Sequence, residues 1–352
     1  MNEKRALIAM SGGVDSSVAA YLAQKSGFTC IGATMRLYET PGCVTDNAED
    51  ARKVSEKLGI PFCILDCRDA FRSQVMDHFV DAYECGLTPN PCIVCNRCLK
   101  FGALLDYAKS IGCSYLVTGH YARVSFHPQS GRWVLQKALD ESKDQSYFLY
   151  SLTQDQLSHI RFPLGELTKS EAREIAQLQG FINARKKDSQ DICFVPDGDY
   201  FSFLQAYTGK NYAPGTFLDL DGNVVGTHKG AVGYTLGQRK GLGIALGEPV
   251  YVCQKDMARN TVTVGPNGAL MHRSLQAKDW FWHTVDALNA PMRVLAKARS
   301  RMEEQPAAVY PEENGFARVE FDSPQRAITP GQAIVLYDGD TVVGGGTITE
   351  VW

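Results

Sequence analysis

Short apolar runs alternate with stretches of helical periodicity through the first half of the chain. Ala6 to Met10, Phe28 to Met35, Phe62 to Leu65 and Tyr115 to Thr118 are brief, uncharged runs of the kind that form buried parallel strands. Ser17 to Ala23 has the composition of a helix. Asp46 and Glu49 form a capping-box pattern that opens another, which Gly59 and Pro61 stop after Leu58. Asp69 opens a third, with Phe71, Val75, Met76, Phe79, Val80 and Tyr83 at helical spacing, and a fourth is expected from about Phe101 to Ile111. This alternation predicts an α/β fold with a doubly wound parallel sheet, whose ligands lie beyond the carboxyl ends of the strands.

After about Phe194 the pattern changes. Apolar pieces become short and are punctuated by Gly and Pro, as in Gly215 to Asn223. Near the C-terminus Ala317, Val319 and Phe321 alternate with Arg318 and Glu320, and Asp338-Gly339 sits between apolar runs as a tight hairpin turn. The expected organisation is a catalytic α/β domain over 1–200, a small mixed or β central domain over 201–275 and a C-terminal β-barrel over 276–352.

Bulk properties narrow the function classes. A net charge of −3 in 352 residues and a pI near 6.2 do not advertise nucleic-acid binding, although local basic clusters stand out at Arg185-Lys186-Lys187, Arg239-Lys240 and Lys297 with Arg299 and Arg301. No apolar run is long enough for a secretory leader or a membrane span, so a cytoplasmic protein without membrane contact is expected. Eleven cysteines in such a chain do not form a structural disulfide framework. Cys30, Cys63, Cys113 and Cys253 lie in or beside strand-like runs and read as small hydrophobes. Cys92, Cys95 and Cys98 cluster in a segment rich in turn formers.

Between the first strand and first helix lies Ser11-Gly12-Gly13-Val14-Asp15-Ser16. A glycine-rich turn at this place aims backbone N–H groups and a helix N-terminus at an anion. The Gly-Lys-Ser/Thr of a Walker loop is missing, which argues against ordinary γ-phosphate transfer. The motif resembles the pyrophosphate (PP) loop of the N-type ATP pyrophosphatases, which form adenylates and release pyrophosphate.

Further pieces carry a narrower resemblance. They are Asn90 to Phe101, Thr118 to Arg123, Lys143 to Leu149, Ile192-Cys193-Phe194, Tyr234 to Gly243 and Thr329 to Gln332. In this order the chain resembles the tRNA-specific 2-thiouridylases, which thiolate the wobble uridine of certain tRNAs. The resemblance implies an adenine nucleotide alpha hydrolase-like domain that adenylates the uracil C2 oxygen, using ATP and Mg²⁺. AMP then becomes a better leaving group than water or hydroxide. Cys95 and Cys193 would be the catalytic pair: a persulfide on Cys193, charged by a sulfur-donor protein, delivers sulfur, and Cys95 resolves the bridge as a Cys95–Cys193 disulfide. Ala9, Met10, Ser11, Gly12, Gly13, Val14, Asp15, Ser16, Met35 and Gly119 would bind ATP. Asn90, Pro91 and Cys92 would line the target base, and His120, Lys143, Asp144, Gln145, Arg299, Ser300 and Gln332 would contact tRNA.

The chain departs from the commoner family pattern at Cys92, where many members carry Asp; a neutral thiol does not replace a carboxylate base. Three readings of the cysteines stand open. Cys95 and Cys193 act alone, with Cys92 and Cys98 as bystanders; or Cys92, Cys95 and Cys193 hold a [4Fe–4S] cluster; or Cys63, Cys67, Cys92 and Cys95 bind structural zinc.

Overall fold

The structure, a computed structural model, describes residues 4–38, 47–186 and 191–352. Asp46 of the expected capping box and Lys187 of the first basic cluster lie outside the described residues.

The N-terminal part runs β1 (Arg5–Ala9), α1 (Val14–Lys25), β2 (Thr29–Arg36), α2 (Asn47–Leu58), β3 (Phe62–Asp66), α3 (Arg68–Phe71), α4 (Asp77–Glu84), α5 (Pro91–Cys95), α6 (Leu104–Ser110), β4 (Tyr115–Val117), β5 (Arg123–His127), β6 (Arg132–Gln136), α7 (Gln154–His159), β7 (Ile160–Arg161) and α8 (Lys169–Leu178). Its sheet has the order β3-β2-β1-β4-β7 and is parallel throughout. Alternation along β1 explains the two layers of helices. Ala6 and Ile8 pack under α1, α2 and α8 with Val18, Val54 and Ala176. Leu7 packs on the opposite face with Leu104, Leu105 and Leu157 of α6 and α7. Strand order reverses around β1, so the turn after β1 opens at the switch point where ligands of such sheets bind.

Sequence and structure differ most around the cysteines. The segment expected as turns is helical from Pro91 onward, and a wide turn of π-helix, Asn96–Ala103, links α5 to α6. The cause is local: the Asn90 side chain caps the helix by accepting from Cys92 N (3.2 Å), and Pro91 holds the first helical position.

The central part comprises α9 (Tyr200–Thr208) and a sheet of β8 (Gly215–Leu218), β9 (Val224–His228), β10 (Tyr251–Asp256) and β11 (Thr261–Gly265), with Phe217, Val252 and Val262 in its core. The last part is β12 (Met271–Trp282), β13 (Met292–Lys297), β14 (Gln305–Pro311), β15 (Ala317–Arg326), β16 (Ala333–Asp338) and β17 (Thr341–Val351). Their order, β12-β15-β14-β13-β16-β17, closes on itself through β12–β17 pairing into a six-stranded barrel. β12 begins at Met271, so the expected boundary at 275/276 falls inside a strand; Pro266 and the short turn Asn267–Leu270 form the link. The β5–β6 hairpin of the first domain attaches to the barrel at Thr341 opposite Gln136.

Candidate active site

The loop after β1 is held by its own serines. Ser11 N and Ser11 Oγ reach Ser16 Oγ at 3.2 and 3.3 Å, and Ser16 Oγ and Ser17 Oγ each donate to Gly13 O at 3.0 Å. Gly12 takes a φ of 71°, which favours glycine. Gly13 occupies the N-cap of α1 without a side-chain cap, leaving the helix N-terminus unblocked for an anion. Met10 is tied to β2 by its N–H to Ala33 O (2.8 Å) and by Thr34 Oγ1 donating to Met10 O (2.5 Å). The chain after β4 presses on the loop from the other side: a Cβ on Gly119 would stand 2.7 Å from both Asp15 C and Ser16 N. Ala9 to Ser16 and Gly119 are therefore one unit, and Met35 at the end of β2 packs between two cores beside it.

Two residues that pattern-reading missed complete this unit. Lys169 Nζ pairs with both Asp15 oxygens at 2.7 and 2.8 Å, and Tyr121 Oη donates to Asp15 Oδ1 at 3.0 Å. Asn183 Nδ2 donates to Gly12 O and Ser17 Oγ at 3.0 and 2.9 Å. Both come from segments far along the chain, so only the fold reveals them.

The cysteines gather at the same carboxyl end of the sheet. Cys95 is buried with Phe71, Phe79, Leu99 and Phe194 in one apolar cluster, which brings the residue after Cys193 against the cysteine helix. Cys92 and Cys193 are exposed, and Tyr38 Oη donates to the Cys193 carbonyl. Burial raises the pKa of Cys95; Cys92 and Cys193 keep surface exposure, but the protein packed around their sulfurs strips part of their hydration and raises both, Cys193 to about 11 with Cys95 and Cys92 adding to the rise. The Lys100 ammonium acts in the opposite sense on all three thiols; it lies within the segment Asn90 to Phe101, where its sequence position gave it no role.

Among the described residues, no three His, Cys, Asp or Glu side chains converge to hold a metal ion. The zinc set fails on direction as well. Cys63 Sγ lies in β3 facing Tyr107 Oη (3.8 Å), whereas the electrostatic partners of Cys95 are Cys67, Cys92, Cys98 and Lys100. As placed, Cys92, Cys95 and Cys193 likewise do not fit as ligands of a [4Fe–4S] cluster.

The expected tRNA residues are dispersed over the first domain and the barrel. His120 binds Thr118 Oγ1 through Nδ1 (2.7 Å), packs on Phe101 and Phe162, and is kept neutral because burial drives its pKa well down. Asp144 accepts from Ala138 N, Ser146 N and Ser146 Oγ, and Gln145 Oε1 accepts from Tyr121 N, so both are committed to holding the chain. Lys143 ends the preceding 3₁₀ turn. Arg299 donates to Leu236 O and Thr329 Oγ1, next to half-buried Ser300. Gln332 Nε2 donates to Thr88 O (2.7 Å), two residues before Asn90.

A family model described as a tRNA methyl transferase HUP domain matches residues 4–197, a tRNA methyl transferase PRC-barrel domain matches 201–266, and an aminomethyltransferase beta-barrel domain matches 272–348. The chain is 48% identical to the tRNA-specific 2-thiouridylase MnmA of Acetivibrio thermocellus, covering 99% of this chain and 100% of that protein. The chain belongs to the tRNA-specific 2-thiouridylase family. Its likeness to the MnmA proteins of Clostridioides difficile (45%, 99% of this chain and 98% of that one) and Moorella thermoacetica (48%, 98% and 99%) is equally complete.

Proposed function

We propose that the chain carries out ATP-dependent 2-thiolation of the wobble uridine of tRNA, with Cys193 as sulfur carrier and Cys95 as its partner. The observation that supports this most directly is that Cys95 and Phe194, the residue after Cys193, pack in one apolar cluster although almost a hundred residues separate them in sequence. The family model's methyl transferase description suits this site less well, since methyl transfer requires neither an adenylating loop nor paired thiols.

The uracil C2 oxygen attacks the α-phosphorus of ATP, pyrophosphate leaves with the electron pair of the broken P–O bond, and the base becomes an adenylate. The N–H groups at Gly13 and the start of α1 stabilise the charge that develops on phosphate. Mg²⁺ would be held mainly by the phosphates, with Asp15 as the loop's carboxylate, and would screen their charge. Asn90, Pro91 and Cys92 line the place of the base. A wobble base in a single-stranded loop enters without breaking a pair.

Sulfur arrives on Cys193 as a persulfide from a donor protein. Its bare thiol, at about 11, stays protonated and unreactive near neutral pH. A persulfide ionises more readily than its thiol, so the loaded form is the nucleophile. Its terminal sulfur adds at C2 and AMP departs. Cys95 then attacks the Cys193 sulfur; the departing 2-thiouridine sulfur takes the electron pair of the broken S–S bond and the Cys95 proton, and a Cys95–Cys193 disulfide is left for a cellular dithiol to reduce. The test is pyrophosphate release with and without tRNA, together with mass spectrometry of the tRNA. ADP as the main product, or release indifferent to tRNA, refutes the reading.

A further inference from the structure

Three thiols meet at the cysteine helix, and sulfur transfer as described uses two of them. Cys92 is the second residue of α5 and Cys95 its last, so they stand one turn apart with Cα atoms about 5 Å from each other. A disulfide spans such a separation once the turn tightens to bring the Cβ atoms to about 4 Å. The hydrogen bonds of this turn already lean toward the tighter pattern. Ile93 N donates to Asn90 O, three residues back, at 3.2 Å, and Asn96 N points to both Cys92 O and Ile93 O. Exposure separates the thiols further. Cys95 is 8% exposed and packs with Phe71, Phe79 and Phe194, whereas Cys92 and Cys193 keep surface exposure. Cys67 and Cys98 also neighbour Cys95, but both are half-buried, and of the additional thiols among the described residues Cys92 is the one that neighbours Cys95 and Cys193 alike. The Lys100 ammonium serves all three, favouring the thiolate on whichever sulfur carries it. A Cys95–Cys193 bond ties the helix to a segment almost a hundred residues later, and while it lasts Cys193 cannot be recharged.

We propose that Cys92 is a third redox residue of the reaction, which converts the Cys95–Cys193 disulfide into a Cys92–Cys95 disulfide and returns Cys193 to its free form before any outside reductant acts. The inference rests on the function proposed above. Once the thiolated base has left its place beside Cys92, the Cys92 sulfur attacks the Cys95 sulfur. A new S–S bond forms and the Cys95–Cys193 bond breaks. The Cys193 sulfur takes the electron pair of that bond together with the Cys92 proton, so no electrons enter or leave the protein in this step. The cellular dithiol then reduces the Cys92–Cys95 bond and becomes a disulfide itself, its electrons and protons passing to Cys92 and Cys95. Strained or exposed disulfides are the ones most easily reduced, and a bond across one helical turn is of that kind. Recharging at Cys193 and reduction at the helix thus proceed on separate sulfurs.

The experiment loads the full chain with persulfide from sodium polysulfide, removes the excess, and starts a single turnover with ATP, Mg²⁺ and tRNA in the absence of reductant. Acid quenching and alkylation trap free thiols, and peptide mass spectrometry maps the disulfides against the 2-thiouridine formed. The parent should hold Cys92–Cys95, with Cys193 alkylated, in an amount that matches the product. Cys92→Ser should stop at Cys95–Cys193 for whatever product it makes, and Cys98→Ser should map like the parent. When a protein dithiol and fresh polysulfide are supplied, later turnovers of Cys92→Ser should run roughly tenfold or more slower than its own first, because an outside thiol replaces an intramolecular one. A parent that makes 2-thiouridine yet retains Cys95–Cys193, or pairs Cys95 with Cys98, overturns the proposal. Thermal unfolding identifies a variant that fails to fold; if Cys92→Ser is one, the disulfide map of the parent decides alone. A parent that makes no 2-thiouridine refutes the proposed function instead.

Discussion

Gly119→Ala tests whether the approach of the β4 end to the nucleotide loop matters for catalysis. The added Cβ would lie 2.7 Å from Asp15 C and Ser16 N and 2.9 Å from Asp15 O. All three are backbone atoms, so no side chain can swing aside. Ordinary contact begins near 3.4 Å, and the loop must retreat by roughly 0.7 Å. Overpacking of this kind costs about 1–3 kcal/mol of stability. Misplacing a reacting group by about 1 Å can cost ~100-fold in rate. The expected signature is disproportion: tRNA-dependent pyrophosphate release falls by roughly two orders of magnitude, while the unfolding temperature drops only about 2–4 °C per kcal/mol lost. Gly268→Ala is the control, because a Cβ there meets nothing within 4 Å. A Gly119→Ala protein that releases pyrophosphate at the parental rate would refute the argument that this close approach sets the loop.

The remaining expectations concern the thiols and pH. Cys95→Ser and Cys193→Ser should each eliminate thiolation, measured as 2-thiouridine by mass spectrometry, whereas Cys98→Ser keeps most of it; equal damage from Cys98→Ser would leave the two-cysteine scheme incomplete. Protein purified anaerobically should be colourless and thiolate tRNA from a persulfide donor, and Cys92→Ala should retain measurable activity; a brown preparation that loses iron and activity together on Cys92→Ala would establish cluster chemistry instead. His283 is fully buried against Tyr150 O and held neutral, its pKa lowered from 6.5 to about 4. Its folded pKa lies below the unfolded one, so its contribution is whole above pH 6.5 and is lost as pH falls from 6.5 through 4, worth roughly 3 kcal/mol. Denaturant midpoints across that window should fall more steeply for the parent than for His283→Gln.

Much of the frame was readable from residue pattern alone. Alternating apolar runs located β1 to β4, because buried parallel strands have few other ways to be written. β7 escaped notice because two residues, Ile160–Arg161, carry no periodicity. The cysteine helix was misread because Asn, Pro and clustered Cys look like a turn, although Asn90-Pro91 is also a cap followed by a favoured first helical residue. The loop from Ser11 to Ser16 announced itself, but Lys169 and Asn183 did not. A lysine opening an ordinary helix and an asparagine after one acquire meaning only when the fold sets them on Asp15 and Gly12. Asp144 and Gln145, expected to face RNA, also hold the chain through Ser146 and Tyr121, a role that only the fold reveals.

The closing strand of the barrel has a bearing on how the chain is made. β17, 11 residues long and the last strand of the barrel in chain order, pairs with β12 and β16 and also meets β6 of the first domain. The ribosome therefore finishes the catalytic domain long before the segment that covers its hairpin exists. Until then β6, β12 and β16 offer open edges to any neighbouring chain. A message truncated ahead of Thr341 would yield not a trimmed enzyme but a polypeptide with three adhesive borders, and quality control would meet it as an aggregate.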